Sequence, residues 1–245
     1  MVADDKGVKR LFLRADYCGL LTGWPLMGDP SFVPLRLLTA FFLFTALLNV
    51  SEAADSDPSL PPIFPLTVAP TATLKKPPVK SLSLGSLTIE LETTELQAVL
   101  TKIGIGEIQH RGDASESTYW LCYFIPNSTH QARIWLMSGE INGGTVGSVA
   151  LKLTKQDETE TPSCPALPTN YRPLQLERNI GLENKESDLR KILGKPSLVA
   201  NNWIHFDSEQ KIMLHGQEFT ESGILSARFV KGRIEELWVS KTTSN

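Results

Sequence analysis

The densest apolar run of the chain comes early. Arg36 is followed by Leu-Leu-Thr-Ala-Phe-Phe-Leu-Phe-Thr-Ala-Leu-Leu-Asn-Val over residues 37–50, the length of a signal-peptide core and too short to span a bilayer comfortably. Ser51-Glu52-Ala53 then sets small residues at the two positions that a leader peptidase reads, with cleavage after Ala53. The run predicts an export signal. The competing readings are an uncleaved anchor or a buried core helix, and the proline-rich continuation, which cannot prolong a helix, favours cleavage. Met27 offers an alternative start, with Met-Gly-Asp-Pro-Ser-Phe-Val-Pro-Leu-Arg as a short basic lead.

Residues 55–80 are rich in Pro, Ser and Thr and carry few core-forming patterns, which predicts an extended tether. Two patterned units follow. In the first, Leu87, Ile89 and Leu91 alternate with polar residues, and Thr94 with Gln97 has the spacing of a helix capping box. Leu96, Val99, Leu100 and Ile103 recur at helical intervals, and Gly104 supplies a stop. Strands are predicted over 119–125, 132–137 and 145–153. In the second unit Asn184 is the expected cap of a helix carrying Leu189, Ile192 and Leu193, which Gly194-Lys195-Pro196 terminates. Strands are predicted over 202–206, 212–215, 224–230 and 233–240, with Lys231-Gly232 as the tight turn of the last hairpin. Ile180-x-Leu182-Glu183 echoes Ile89-x-Leu91-Glu92, and Trp120 and Trp203 begin strands at the same place in each unit. The echo, at an offset of about 90 residues, predicts an internal repeat.

The expected organisation is a leader over 1–53, a tether over 54–84, a first α+β repeat over 85–155, a connector over 156–176 and a second α+β repeat over 177–245. A short helix ending in Leu193-Gly194-Lys195-Pro196, a strand opened by Trp203, and a hairpin closing with Phe229-Val230-Lys231-Gly232-Arg233-Ile234 carry a resemblance. This pattern resembles the family of small envelope modules that includes BamE (SmpA) and the β-lactamase inhibitory protein, best over 180–239. The resemblance implies a helix packed on an antiparallel sheet. Two tandem copies would form one extended sheet whose concave, aromatic-lined face takes a protein partner. The lipobox of the BamE side is missing, and the cysteines are not arranged one pair to each repeat.

Composition narrows the classes. Hydrophobic residues are 41% and charged residues 21% of the 245, ordinary for a globular chain, so wholesale disorder is excluded. A formal net charge of -3 with no basic stripe argues against nucleic acid as a partner. Beyond the leader, Cys122 and Cys164 remain. In an oxidising compartment they read as a disulfide tying a strand to the connector; two unpaired thiols are the alternative.

The search for chemistry finds no catalytic set. His110, His130, His205 and His215 lack metal-ligand spacing, no Cys-x-x-Cys exists, and no nucleophile elbow or phosphate loop is present, so no catalytic residue, metal or cofactor is assigned. Arg111-Gly112-Asp113 sits in an insertion of the first unit and reads as a connector or a contact loop. Glu140, in the Gly-rich stretch 138–144, is either a partner-inserting tip or part of an ordinary hairpin turn. The aromatics are the sharper signal. Trp120, Trp135, Trp203 and Trp238 lie in predicted strands, where alternate residues face opposite ways. One parity packs on the helices; the other is either an open binding face or is covered by the tether or the connector. The reading is an exported, non-catalytic protein-binding or envelope-accessory module with Trp120, Trp135, Glu140, Trp203 and Trp238 as binding residues. It is periplasmic or secreted, has a protein partner in the cell envelope, and has no membrane span after cleavage. The alternative is a periplasmic hydrolase with an unrecognised Glu/His site.

Overall fold

A computed structural model describes residues 57–65, 71–113, 116–127 and 130–245. The apolar run at 37–50, the cleavage site at Ala53 and the alternative start at Met27 lie outside these residues.

Alternation in the sequence becomes strand wherever it meets a partner. β1 (Ser81–Leu84) and β2 (Leu87–Glu90) form a hairpin, and β7 (Leu174–Leu176) pairs on the other side of β1, giving a small antiparallel sheet. Gly85 turns the hairpin at φ +57, and a Cβ there would stand 2.2 Å from the Asn170 carbonyl oxygen, so both backbone conformation and packing require glycine. Helix α1 (Leu96–Ile103) buries Leu96, Val99 and Ile103 and ends at Gly104 in the left-handed conformation. The capping box expected from Thr94 and Gln97 does not form. Thr94 Oγ1 accepts from the backbone N–H of Glu90, and the first helical N–H, that of Leu96, donates to the Gly144 carbonyl. A neighbouring loop thus supplies the acceptor that a side chain was expected to give. Helix α2 (Glu186–Leu193) likewise starts one residue later than expected. Asp188 accepts from the N–H of Lys185, while Asn184 accepts from Gly181.

The large sheet has eight antiparallel strands: β3 (Gln109–Arg111), β4 (Thr118–Ile125), β5 (Ala132–Gly139), β6 (Ser148–Leu153), β8 (Leu198–Ala200), β9 (Trp203–Leu214), β10 (Gln217–Val230) and β11 (Arg233–Ser244). Their spatial order is β3-β4-β5-β6-β11-β10-β9-β8. The helix α1 precedes a short edge strand and a three-strand meander; α2 does the same. The two meanders meet through their last strands, β6 against β11, with Val149 opposite Val239 and Ala150 opposite Trp238. Lys231 (φ 51) and Gly232 (φ 78) make the tight turn between β10 and β11, as expected. The strands expected at 202–206 and 212–215 are one continuous β9. The polar residues between them pair across to β10, with Lys211 Nζ donating to Thr220 Oγ1 at 2.9 Å and Gln210 donating to Glu221.

One face of this sheet carries the main core. Leu121, Tyr123, Ile134, Leu136, Val149, Leu151, Ile204, Phe206, Leu225 and Leu237 pack with the helices and with Leu82, Leu84 and Ile89 of the small sheet. The segment expected as a free tether is docked in its described parts. Thr73 and Leu74 donate to the Asp207 carbonyl of β9, Val79 joins the main core, and residues 57–65 lie on the opposite face. The connector closes the edge of β4, where Phe124 N–H donates to Pro165 and Leu167 N–H to Phe124. No helix among the described residues is long and apolar enough to cross a membrane.

Candidate binding interface on the tryptophan face

Strand parity sets which side chains leave the helix-bearing face. Leu121 and Tyr123 point into the main core, so Trp120 and Cys122 point away from it. Register then carries the pattern across the sheet: Trp120 lies opposite Met137, Cys122 opposite Trp135, Trp135 opposite Ala150, and Ala150 opposite Trp238. The small Ala150 between Trp135 and Trp238 leaves room for both indoles. Trp120, Cys122, Trp135, Met137, Ala150 and Cys164 form a second buried cluster, with Leu60 and Trp238 packed against it. Cys122 and Cys164 are joined by a disulfide, with Cα atoms 4.7 Å apart and a sequence separation of 42. It fixes the connector onto this face. Arg133, in the same parity, pairs with Glu158 of the connector and donates to the Thr159 carbonyl at 3.1 Å.

The rest of the cover is the strap formed by residues 57–65, Asp-Pro-Ser-Leu-Pro-Pro-Ile-Phe-Pro. A single acceptor organises it. The Ser59 carbonyl oxygen takes the indole N–H of Trp120 at 3.0 Å and that of Trp135 at 2.8 Å, so both donors are satisfied in a buried layer, as buried indoles require. Ser59 Oγ donates to Gln109 Oε1 at 2.9 Å. The strap is shaped locally by Asp57, whose side chain accepts from Ser59 N–H and whose carbonyl accepts from Leu60 N–H, a turn typical of Asp before Pro. Further along, Phe64 packs on Trp238 with ring centroids 5.2 Å apart. Ile63 points outward, 92% exposed. Among the described residues the strap makes no backbone–backbone hydrogen bond outside itself, whereas residues 73–74 and 165–167 are each tied to a strand in that way.

Three of the five expected binding residues therefore come together: Trp120, Trp135 and Trp238. They do not form an open face; Trp120 and Trp135 are 2% and 3% exposed beneath the strap and connector. Trp203 lies on the far strands, stacked with His205 at 6.2 Å between centroids. Glu140 is exposed in a 3-10 turn with Asn142, whose side chain accepts from Gly139 N–H, and beside the 83% exposed Ile141. The sequence reading missed Ser59, Gln109 and Phe64. The signal for the strap was the placing of Leu60 and Phe64 between prolines.

One further polar cluster sits in the same parity on β9 and β10. His205 Nδ1 is 2.8 Å from Ser226 Oγ, and Asp207 accepts from Ser197 Oγ at 2.7 Å. Burial lowers the His205 pKa and raises that of Asp207, the Ser197 bond opposing the latter shift. Ser226 is fully buried in the middle of the sheet, so its hydroxyl is out of reach of a substrate, and Asp207 is engaged by serine. This is a satisfied network inside the sheet. A charged network at the other end, in which Lys241 bridges Glu92 at 2.7 Å and Glu221 at 3.2 Å, ties β11 to the start of α1. Among the described residues no group of His, Cys, Asp and Glu is placed to hold a metal ion. No protein-family model, curated protein or solved structure matches the chain.

Proposed function

We propose that the protein is an exported, non-catalytic protein-binding module whose working surface is the tryptophan face of the eight-stranded sheet. The observation that carries this reading is the pair of indole donors, from Trp120 and Trp135, aimed at one main-chain carbonyl in the turn of a proline-rich segment. A surface built in this way holds proline-rich polypeptide. The disulfide between Cys122 and Cys164 supports residence in an oxidising compartment. The repeated order of helix, edge strand and meander supports two tandem copies joined into one sheet, the arrangement that the likeness to the β-lactamase inhibitory protein and BamE family implies.

The test is site-specific photocrosslinking in cells. The crosslinking residue is placed at Ser148, opposite Met137 on the tryptophan face and partly exposed, and as a control at Met213, 66% exposed on the β9–β10 hairpin. A discrete adduct from position 148 and none from position 213 is the expected result. No adduct from position 148 in any envelope fraction overturns the reading.

A further inference from the structure

We infer that the tryptophan face is a binding groove for proline-rich peptides, and that residues 57–65 are its intramolecular occupant, which a partner's proline-rich segment displaces. The inference rests on the protein-binding reading above and names the chemistry of the partner.

The chemistry of the groove is visible in what fills it. The strap opens with the Asp57–Leu60 turn and then runs through prolines at 61, 62 and 65, which leave its backbone little freedom to lose on docking, and its carbonyls are unpaired by any ladder. A groove for such a segment needs flat apolar walls and donors for a main-chain carbonyl, because the ligand has few N–H groups of its own to offer. Trp120, Trp135, Met137 and Trp238 provide the walls. The two indoles provide the donors, and Gln109 accepts from the hydroxyl that follows Pro58. Leu60 and Phe64 are the two apolar anchors, one on the Trp120–Trp135 cluster and one on Trp238. The ligand so defined is Pro-Ser-Leu-Pro-Pro-x-Phe or a close analogue.

The manner of attachment makes the strap a displaceable occupant. The other segments that close this sheet are fixed by main-chain bonds to β4 and β9 or by the disulfide. The strap is held by one carbonyl, one hydroxyl and two apolar side chains, and elements with so few bonds open locally at low cost. As a tethered ligand it enjoys a high effective concentration, so a partner gains entry only by presenting a segment that binds more tightly or at several sites.

The test uses the full chain and a fluorescein-labelled peptide, Asp-Pro-Ser-Leu-Pro-Pro-Ile-Phe-Pro, followed by anisotropy. In the Leu60→Asp/Phe64→Asp chain both anchors of the strap are lost and the groove is free. The expected result is binding at least roughly tenfold tighter than to the unaltered chain, with the tethered strap as competitor. Adding Trp135→Phe, which deletes one carbonyl donor but keeps the ring, is expected to weaken it again by about five- to tenfold. A peptide with its prolines replaced by glycine is expected not to bind. A released variant that melts cooperatively and retains its disulfide, yet ignores the peptide, overturns the inference. Hydrogen exchange on the unaltered chain decides the matter if the variant does not fold. The Trp120 and Trp135 indole N–H groups are expected to exchange at least roughly a hundredfold faster than the backbone amides of β4 and β5. Equal protection makes the strap a permanent part of the core and sinks the idea. Peptide binding without a crosslinked partner would instead tell against the proposed function and leave the groove standing.

Discussion

His205 shows how a single side chain on this face records its surroundings. It is 2% exposed and 2.8 Å from Ser226 Oγ, and burial holds its pKa below the ordinary histidine range. The unfolded chain takes up a proton near pH 6.5; the folded chain does so only at lower pH. As pH falls through that window the unfolded state binds more protons, and stability is lost. Asp207 acts in the opposite sense, because burial raises its pKa and acidification relieves an unfavourable charge. His205→Asn keeps a polar atom toward Ser226 and removes the titration. Relative to this variant, the unaltered chain is expected to lose stability steadily between about pH 7 and about pH 5, measured as urea midpoints. Parallel curves would show that His205 is not the group responsible. None of this was legible in the sequence, where His205 was one of four histidines without metal-ligand spacing. Its burial depends on strand neighbours that no local pattern reveals.

Among the elements, the connector carries the greatest constraint relative to its length. Leu167 and Leu176 dock it in the main core, and the disulfide at Cys164 closes a loop of 42 residues. Chain-entropy reasoning gives such a loop about 3–4 kcal/mol. Cys122→Ser with Cys164→Ser is therefore expected to lower unfolding stability by about that amount in guanidinium, whereas the unaltered chain under reductant is expected to converge on the variant. Equal midpoints for oxidised and reduced chains would contradict this. The long elements were readable for a simple reason. β4 and β5 are near-continuous apolar runs buried on both faces, and β6, β10 and β11 carry apolar residues dense enough to declare themselves; Leu96, Val99 and Ile103 mark the buried side of α1. The small sheet escaped because β1 and β7 are four and three residues long and some 90 residues apart in the chain. The cap of α1 failed because the partner of Leu96, Gly144, comes from a remote loop, whereas that of α2 moved by one residue because Asp188 takes the Lys185 N–H and Asn184 turns back to Gly181. Strand parity puts Trp120 and Tyr119 on opposite faces, and Tyr119 is 40% exposed and stacks on His110. Parity does not choose between an open and a covered face, because that choice lies with a proline-rich segment whose pattern is too sparse to announce a docking site.

For the molecule as a whole, the junction of β6 with β11 is the critical contact. Five residue pairs, from Ser148 opposite Ser240 to Lys152 opposite Glu236, join the two meanders into one sheet. Val239 is 1% exposed, with Val149 on one side and Leu225 on the other. Val239→Pro removes a ladder donor in a strand paired on both sides, a position from which proline is all but excluded. The expected outcome is loss of the cooperative transition for both meanders together, read by near-ultraviolet circular dichroism and limited proteolysis. Survival of a protease-resistant fragment from either meander would show that the halves fold separately.

The same junction sets a timetable. β11 follows every other strand in the chain, yet it occupies the middle of the sheet. A chain that is synthesised, or threaded through an export channel, N-terminus first must hold β6 with an unpaired edge until some 80 further residues have emerged. Until β11 slides between β6 and β10, two apolar half-sheets face solvent with open edges, the form in which β-proteins aggregate. Assembly is thus all-or-none in time as well as in energy. The molecule is safest where completion is fast or where a holding factor shields β6 during the wait.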